Sequence, residues 1–411
     1  MAPTTNRTTS SSPPSLLLLP APPRPSSHIA LAAAFREPLT AVLSKLKTSA
    51  NPSTLIVAAT CPILEGLSPR RKSVRWTDAQ SLLAGLYTLV SVICAQESIE
   101  VDIGAGPGSV DVRIVLVDHD PSRKYSTNFD GEYEANCTTV LDLAAFASKV
   151  YPWASVFYPS TEAGYALFKA YLDIASTKSS LNYQQLVAVD GGITMIAEDS
   201  NASAPNEAKL RGTVCLGGTF DHLHPGHKLL LHATVLLLDV PEKDSGKTCT
   251  LIVGISGDEL LVNKKYAQQL QSWDERAQNV LSFLSTLLEY NTNAETPTTV
   301  SKPDELIATF RDGTVRVRCV NIHDPFGPTI TEEDMDVIVV SAETRGGGKA
   351  INDNRTEKSW KPLEVYEIDV LDAREIVENQ GAQDGTKIED FSAKISSTTI
   401  RQQRAATSND S

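Results

Sequence analysis

From Arg211 onward the chain alternates short, continuously apolar segments with longer amphipathic ones, and few folds satisfy that alternation. The apolar segments are TVCLGG (213–218), CTLIVGI (249–255), VRVRCVN (315–321), DVIVVS (336–341) and LEVYEID (363–369). Each has strand length and little polar content for a solvent face. Between them the pattern predicts helices from Gly226 to Leu238, from Trp273 to Tyr290, and in a segment after Gly348. In the second helix Val280, Leu281, Leu284, Leu287 and Leu288 make one apolar face. Strands with no polar face, separated by helices, imply a parallel sheet covered on both sides. Ligands of such sheets bind beyond the carboxyl ends of the strands. The chemistry is therefore expected in the loops that follow these strands.

At 411 residues the chain is too long for one ordinary domain. Residues 28–197 predict a second, mixed α/β domain. TLIVAAT (54–60) and VDVRIVLVD (110–118) are its strands, and Thr77 to Ala95 and Thr161 to Ile174 its helices. Leu82, Leu83, Leu86, Leu89 and Val90 face its core, and Ser160 or Thr161 is positioned as an N-cap. LVAVDGGITMIA (186–197) suggests a hairpin turning at Asp190-Gly191-Gly192. Asp118-His119-Asp120 is either a metal-holding triplet or a solvated loop after a strand; the loop is the commoner arrangement. Residues 1–27 are rich in Ser, Thr and Pro and are expected to be a disordered tail. Residues 198–210 are polar and small, as in a linker. That leaves 211–405 as the C-terminal domain and 406–411 as a second tail.

Net charge and cysteine content narrow the function classes. A charge of −13 argues against nucleic acid as a partner, since that needs a broad basic surface. The six cysteines are scattered in apolar runs with no CxxC, as expected for buried thiols in a reducing compartment. No apolar run approaches the roughly 20 residues of a membrane span. The cytoplasm is the expected location. The mitochondrion is the alternative, because the N-terminal stretch carries Arg7 and Arg24 and no acid before Glu37. Its prolines, however, interrupt an amphipathic helix.

Two motifs carry chemistry. Gly217-Gly218-Thr219-Phe220-Asp221-His222-Leu223-His224-Pro225-Gly226-His227 follows the first strand of the C-terminal domain, and four of the chain's seven histidines fall between His222 and His232. The glycines let a ligand approach the backbone. His224 and His227, three apart at a helix start, project to one side. The helix N-terminus adds free N–H groups and positive potential for an anion. A histidine held in the core accounts for His222 and His232, but not for His227. Zinc would need Cys or acidic ligands at a supporting spacing, and none is present. The second motif is Lys394-Ile395-Ser396-Ser397-Thr398-Thr399-Ile400-Arg401. Hydroxyl residues before a helix are N-caps whose oxygens and first-turn amides can grip phosphate, and Arg401 can add a charge-assisted fork.

GTFDxxHxGH and ISSTxxR together resemble the HxGH nucleotidyltransferase superfamily. ISSTTIR with its preceding lysine, DPFGP (324–328) and VVSAETRGGGKAIN (339–352) resemble the eukaryotic, fungal-like branch of the pantetheine-phosphate adenylyltransferases. The resemblance covers roughly residues 211–405 and includes no P-loop. It implies a Rossmann-like fold and transfer of the adenylyl group of ATP to 4'-phosphopantetheine, in coenzyme A biosynthesis, with Mg2+ accompanying ATP. It also implies residue roles. His227, His224 and Thr219 face the transferring phosphate. Lys264, or its neighbour Lys265, contacts the pantetheine phosphate, with Asp221 on the substrate side. Gly217, Gly218, Phe220, Arg345, Ser396, Ser397, Thr398, Thr399 and Arg401 line the ATP site.

The attacking phosphate oxygen is already anionic at neutral pH. Positioning and charge stabilisation then suffice, and no protein-held metal is required. Three alternatives stand beside this reading: a cytidylyltransferase, a nicotinamide-mononucleotide adenylyltransferase, and a nucleotide-binding regulator without catalysis. The N-terminal domain fits a scaffold, a decayed enzyme, or a module for partners such as coenzyme A pathway enzymes.

Overall fold

A computed structural model describes residues 12–68, 71–101, 106–122, 136–149, 152–176, 181–193, 209–289, 299–369, 371 and 396–409. The N-terminal unit contains β1 (Ser15–Leu19), α1 (His28–Lys47), β2 (Ser53–Cys61), β3 (Leu64–Ser68), β4 (Arg71–Val74), α2 (Trp76–Gln96), β5 (Val110–Asp118), β6 (Leu141–Asp142), α3 (Leu143–Lys149), β7 (Val156–Pro159), α4 (Glu162–Ala175) and β8 (Leu186–Val189). Six of these strands form one parallel sheet in the order β6-β5-β2-β1-β7-β8. Thr161 caps α4 by accepting from the Gly164 amide, as its spacing suggests. Helix α2 is long and apolar enough to cross a bilayer, but 83% of its apolar window is buried inside the protein. It is a core helix between the two units.

The proline-bounded leucine run overturns the expected tail. Leu16, Leu17, Leu18 and Leu19 are fully buried, and β1 pairs with both β2 and β7. Four consecutive leucines supply apolar side chains to both faces, which only a central strand needs. Averaged with the surrounding Ser and Pro, the run loses its signal in composition. Residues 1–11 lie outside the described residues. The expected hairpin at 186–197 is also corrected. Strand β8 pairs parallel to β7, and the Ile193 amide donates to Ala33 O on α1. A Cβ at Gly192 would lie 2.2 Å from that same carbonyl, so this glycine permits the close approach. Most of the expected linker, residues 198–208, lies outside the described residues.

The C-terminal unit follows the predicted alternation: β9 (Thr213–Gly218), α5 (Pro225–Val235), β10 (Cys249–Ser256), α6 (Trp273–Leu288), β11 (Thr299–Lys302), β12 (Glu305–Phe310), β13 (Val315–Ile322), β14 (Val337–Ser341), α7 (Arg345–Glu357), β15 (Glu364–Ile368) and α8 (Ser397–Asn409). The sheet order is β11-β12-β13-β10-β9-β14-β15. The strands from β13 to β15 are parallel, and β11 and β12 add an antiparallel edge that the sequence pattern had not indicated. Helix α7 begins at Arg345, before the glycine run, and α8 continues to Asn409, into the expected tail. In both sheets the unit's first strand lies centrally, between its second strand and the strand of the return crossover. Five of the six cysteines are buried.

Deleting part of the Leu17 side chain tests the central-strand assignment. Leu17→Ala is expected to cost about 2–5 kcal/mol, the range for a large-to-small change in a packed core. Urea unfolding of the full chain measures it. A disordered tail would tolerate the change with no measurable shift.

Candidate functional site

The site assembles at the carboxyl end of β9, next to the ends of β10 and β14. Gly217 and Gly218 close the strand, and a Cβ on Gly218 would lie 3.0 Å from the Phe220 ring. The following loop is strained. Phe220 and His222 both adopt left-handed backbone conformations, with φ of 51° and 47°. Such conformations cost non-glycine residues on the order of 1–3 kcal/mol each and persist only where surrounding contacts impose them. Here the contacts are visible. Phe220 is fully buried, and the His222 amide donates to Gln271 Oε1 while its ring Nε2 lies 2.9 Å from Gln269 O. His222 is thus a core histidine, as its place in the motif suggested.

His224 is the N-cap residue of α5 and Pro225 its first helical residue. The His224 and His227 rings stack with centroids 3.8 Å apart, and Phe220 lies 5.3 Å from His227. Gly226 permits the stack, because a Cβ there would lie 3.2 Å from His224 Cε1. The HxGH spacing therefore has a steric reason. His227 Nδ1 is buried without a hydrogen-bond partner. Burial, then the nearby His224 and His222, hold its imidazole well below the usual range. A neutral, imperfectly solvated imidazole at a helix N-terminus is poised to donate to an incoming anion.

The second motif docks on the first. Ser396 caps α8 through the Thr399 amide, and Ser397 Oγ donates to Asp221 O at 2.8 Å. Arg401 lies almost fully buried, with NH1 2.5 Å from Asp221 Oδ2, Nε donating to Lys265 O, and NH2 to Thr398 Oγ1. Two site assignments change as a result. Asp221 is fully buried and also accepts from the Gln271 amide, so it is a fastener rather than a substrate contact. Arg401 spends its guanidinium on Asp221, Thr398 and the lysine-bearing loop rather than presenting it as a phosphate fork. Lys264 and Lys265 are exposed on that loop beyond β10. Arg345 opens α7 beyond β14, exposed and paired with Glu367. Lys394 and Ile395 lie outside the described residues.

Arg276 escaped the sequence reading. It is fully buried in α6 and donates to Gln271 O, Thr219 O, Ser256 O and Asp258 Oδ1, so it ties the ends of β9 and β10 together. Its signal was an arginine in register with Val280 and Leu284 on the apolar stripe. In the N-terminal unit, Asp118 Oδ1 accepts from the Ile63 and Leu64 amides. Among the described residues no group of three or more His, Cys, Asp or Glu is arranged to hold a metal.

Two outcomes follow from this chemistry. Arg401→Ala leaves the buried Asp221 carboxylate uncompensated, a change that typically costs about 3–5 kcal/mol. A large fall in melting temperature is expected, rather than a selective rise in the ATP KM. The second concerns acid stability. Burial lowers His232 to about 3. Below the ordinary imidazole value of about 6.5 the unfolded chain takes up protons at His227 and His232, while the folded protein does not. Stability is therefore complete above that pH and falls as the solution is acidified. His232→Leu should flatten the fall between pH 6.5 and 4.5, measured by urea unfolding. An unchanged slope would contradict this account of His232.

Comparison with known proteins finds a match for each unit. A family model described as Cytidylyltransferase-like matches residues 215–403, and one described as Domain of unknown function (DUF8446) matches residues 1–195. The chain is 35% identical over 190 residues to an uncharacterized protein of Schizosaccharomyces pombe, covering 46% of this chain and 47% of that one. It is 34% identical over 197 residues to the phosphopantetheine adenylyltransferase of Saccharomyces cerevisiae, covering 48% and 50%. With the phosphopantetheine adenylyltransferase of Thermococcus kodakarensis it shares 28% identity over 158 residues, 38% of this chain and 74% of that one. The chain thus spans about half the length of the two yeast relatives. Its C-terminal unit is a cytidylyltransferase-like domain, and an α/β region precedes it.

Proposed function

We propose that the C-terminal unit transfers the adenylyl group of ATP to 4'-phosphopantetheine, releasing pyrophosphate and forming dephospho-CoA. The observation that carries this reading is the docking of the hydroxyl-rich turn at Ser396–Thr399 onto the HxGH loop through Asp221. That junction sets two helix starts, those of α5 and α8, beside the end of one strand, and helix starts favour anions. Relatives bearing the name phosphopantetheine adenylyltransferase support the choice of substrates.

In the proposed reaction an oxygen of the pantetheine phosphate attacks the α-phosphorus of ATP. The bond from that phosphorus to the bridging α–β oxygen breaks, and pyrophosphate leaves with its electrons. The nucleophile needs no base. His227 and the Thr219 hydroxyl stabilise charge on the α-phosphate oxygens, with His224 holding the imidazole in place through the stack. The first-turn amides of α8 and the hydroxyls of Ser396, Thr398 and Thr399 receive the outer phosphates, while Ser397 holds the turn on Asp221. Lys264, with Lys265 beside it, takes the acceptor phosphate, and Arg345 adds positive potential from the end of β14. Mg2+ would enter on the triphosphate, held by phosphate oxygens and water, and supply neutralisation of the leaving group.

The family model favours one rival, a cytidylyltransferase. Pyrophosphate release is the deciding assay, run with phosphopantetheine, phosphocholine or nicotinamide mononucleotide, each with ATP and with CTP. Turnover is expected only with ATP and phosphopantetheine. CTP turnover would move the assignment to the rival, and ATP binding without any turnover would make the protein a regulator. His227→Ala is expected to lower kcat about 100- to 1000-fold, the usual cost of one lost transition-state donor, with the melting temperature nearly unchanged. Near wild-type turnover by this variant would remove His227 from the mechanism.

A further inference from the structure

The helix that presents His227 is held from outside its own domain. Lys228, the next residue, is fully buried, with Nζ 2.5 Å from Asp111 Oδ1 and 3.0 Å from Val112 O on β5 of the N-terminal unit. Asp111 Oδ2 is 2.7 Å from Arg113 Nε, and Arg113 returns to the C-terminal unit, donating to Ser282 O, Ser282 Oγ and Thr286 Oγ1 on α6. At the other end of α5, Trp76 Nε1 donates to Ala233 O and Thr139 Oγ1 to Val235 O. Residues of the N-terminal unit thus bind α5 in its first turn and in its last.

This arrangement is locally unfavourable. A cation in the first turn opposes the helix macrodipole. A fully buried ammonium also carries a large desolvation cost. Burial pushes the Asp111 carboxyl up, but Arg113 and Lys228 outweigh it and hold it at about 2. Such a pair contributes little net stability compared with apolar packing, and its best-attested use is to fix register. Here the register is the roll of α5. Successive residues are about 100° apart around a helix, so the orientation of Lys228 sets that of His227. A roll of about 15° would carry a ring roughly 6 Å from the axis by about 1.5 Å, and misplacement on that scale can cost about 100-fold in rate.

The N-terminal unit lacks, in the connection after its first strand, the glycine and histidine residues of the HxGH loop. Its central strand β1 leads to α1 through Pro20-Ala21-Pro22-Pro23-Arg24-Pro25-Ser26-Ser27, where the C-terminal unit has its glycine and histidine motif. Four prolines remove four of the amides that would cradle an anion. The Thr60 hydroxyl donates to Leu19 O at the end of β1.

We propose that the N-terminal unit is the positioning element of the active site, and that Asp111, Lys228 and Trp76 set the roll and seat of the HxGH helix. This rests on the adenylyl-transfer reading for its kinetic consequence, but not for its structural one. Two full-chain variants test it. Asp111→Leu combined with Lys228→Met replaces the buried pair by apolar groups of similar size, and Trp76→Phe removes one hydrogen bond while keeping a ring. Each is assayed for pyrophosphate release and for hydrogen exchange of the peptide spanning 225–235. The expected result is a kcat at least about 10-fold lower in the paired variant and about 3-fold lower in Trp76→Phe, with both KM values within about 2-fold of wild type. Exchange in 225–235 should accelerate while that of β10 and β13 does not. Unchanged kcat and unchanged exchange in Trp76→Phe would overturn the inference, even if the paired variant fails to fold. If wild type itself transfers no adenylyl group, the functional reading fails alone. The exchange of 225–235 in Trp76→Phe then decides the inference, supporting it if faster and refuting it if unchanged.

Discussion

The buried ion pair between Asp221 and Arg401 is the contact on which the site depends. It joins residues 180 positions apart in the chain, neither with appreciable exposure. Around it the geometry is over-determined. Asp221 also takes the Gln271 amide, its carbonyl takes the Ser397 hydroxyl, and Arg401 reaches the Lys265 carbonyl. The left-handed residues Phe220 and His222 flank Asp221, so the strained loop and the ion pair support each other. Without the pair, the helix carrying the hydroxyl turn has little reason to lie on the HxGH loop.

Preorganisation here is steric as well as electrostatic. Gly218 makes room for the Phe220 ring, Gly226 for the His224 ring, and the two motif histidines stack. Arg276 gathers carbonyls from the ends of β9 and β10. The imidazole of His227 is kept neutral in a partly buried position at a helix start, where a donor contributes more to stabilising growing negative charge than it would in water. The surrounding fold supplies the rest: a parallel sheet whose first strand is central, so that the loops after β9, β10 and β14 converge.

Much of this was legible in the sequence. Apolar runs of strand length located all five parallel strands of the C-terminal unit, because strands buried on both faces leave a continuous apolar trace. The HxGH and ISST motifs were legible because glycines, histidines and hydroxyls at fixed offsets have few other uses. What the sequence concealed was allocation of charge. Arg401 and Asp221 carry the marks of ligand-binding residues, and only their burial shows that they bind each other. Lys228 was hidden for the same reason, and Arg276 showed only its place in line with Val280 and Leu284 on the apolar stripe of α6. Strand β1 was lost in a Ser- and Pro-rich surround, although its four leucines were in plain view. Strand β11 carries a single apolar residue among polar ones, whereas β12 has four in six, so its composition was legible but its antiparallel pairing was not.

The central claim is that the histidine-bearing loop and the hydroxyl-rich turn act on one triphosphate. A crystal structure of the full chain with a non-hydrolysable ATP analogue tests it most directly. The account predicts a single bound analogue, with its α-phosphate within hydrogen-bond distance of the His227 ring and its outer phosphates on Ser396–Thr399. An analogue that touches one segment while the other faces solvent or a separate cavity would contradict it.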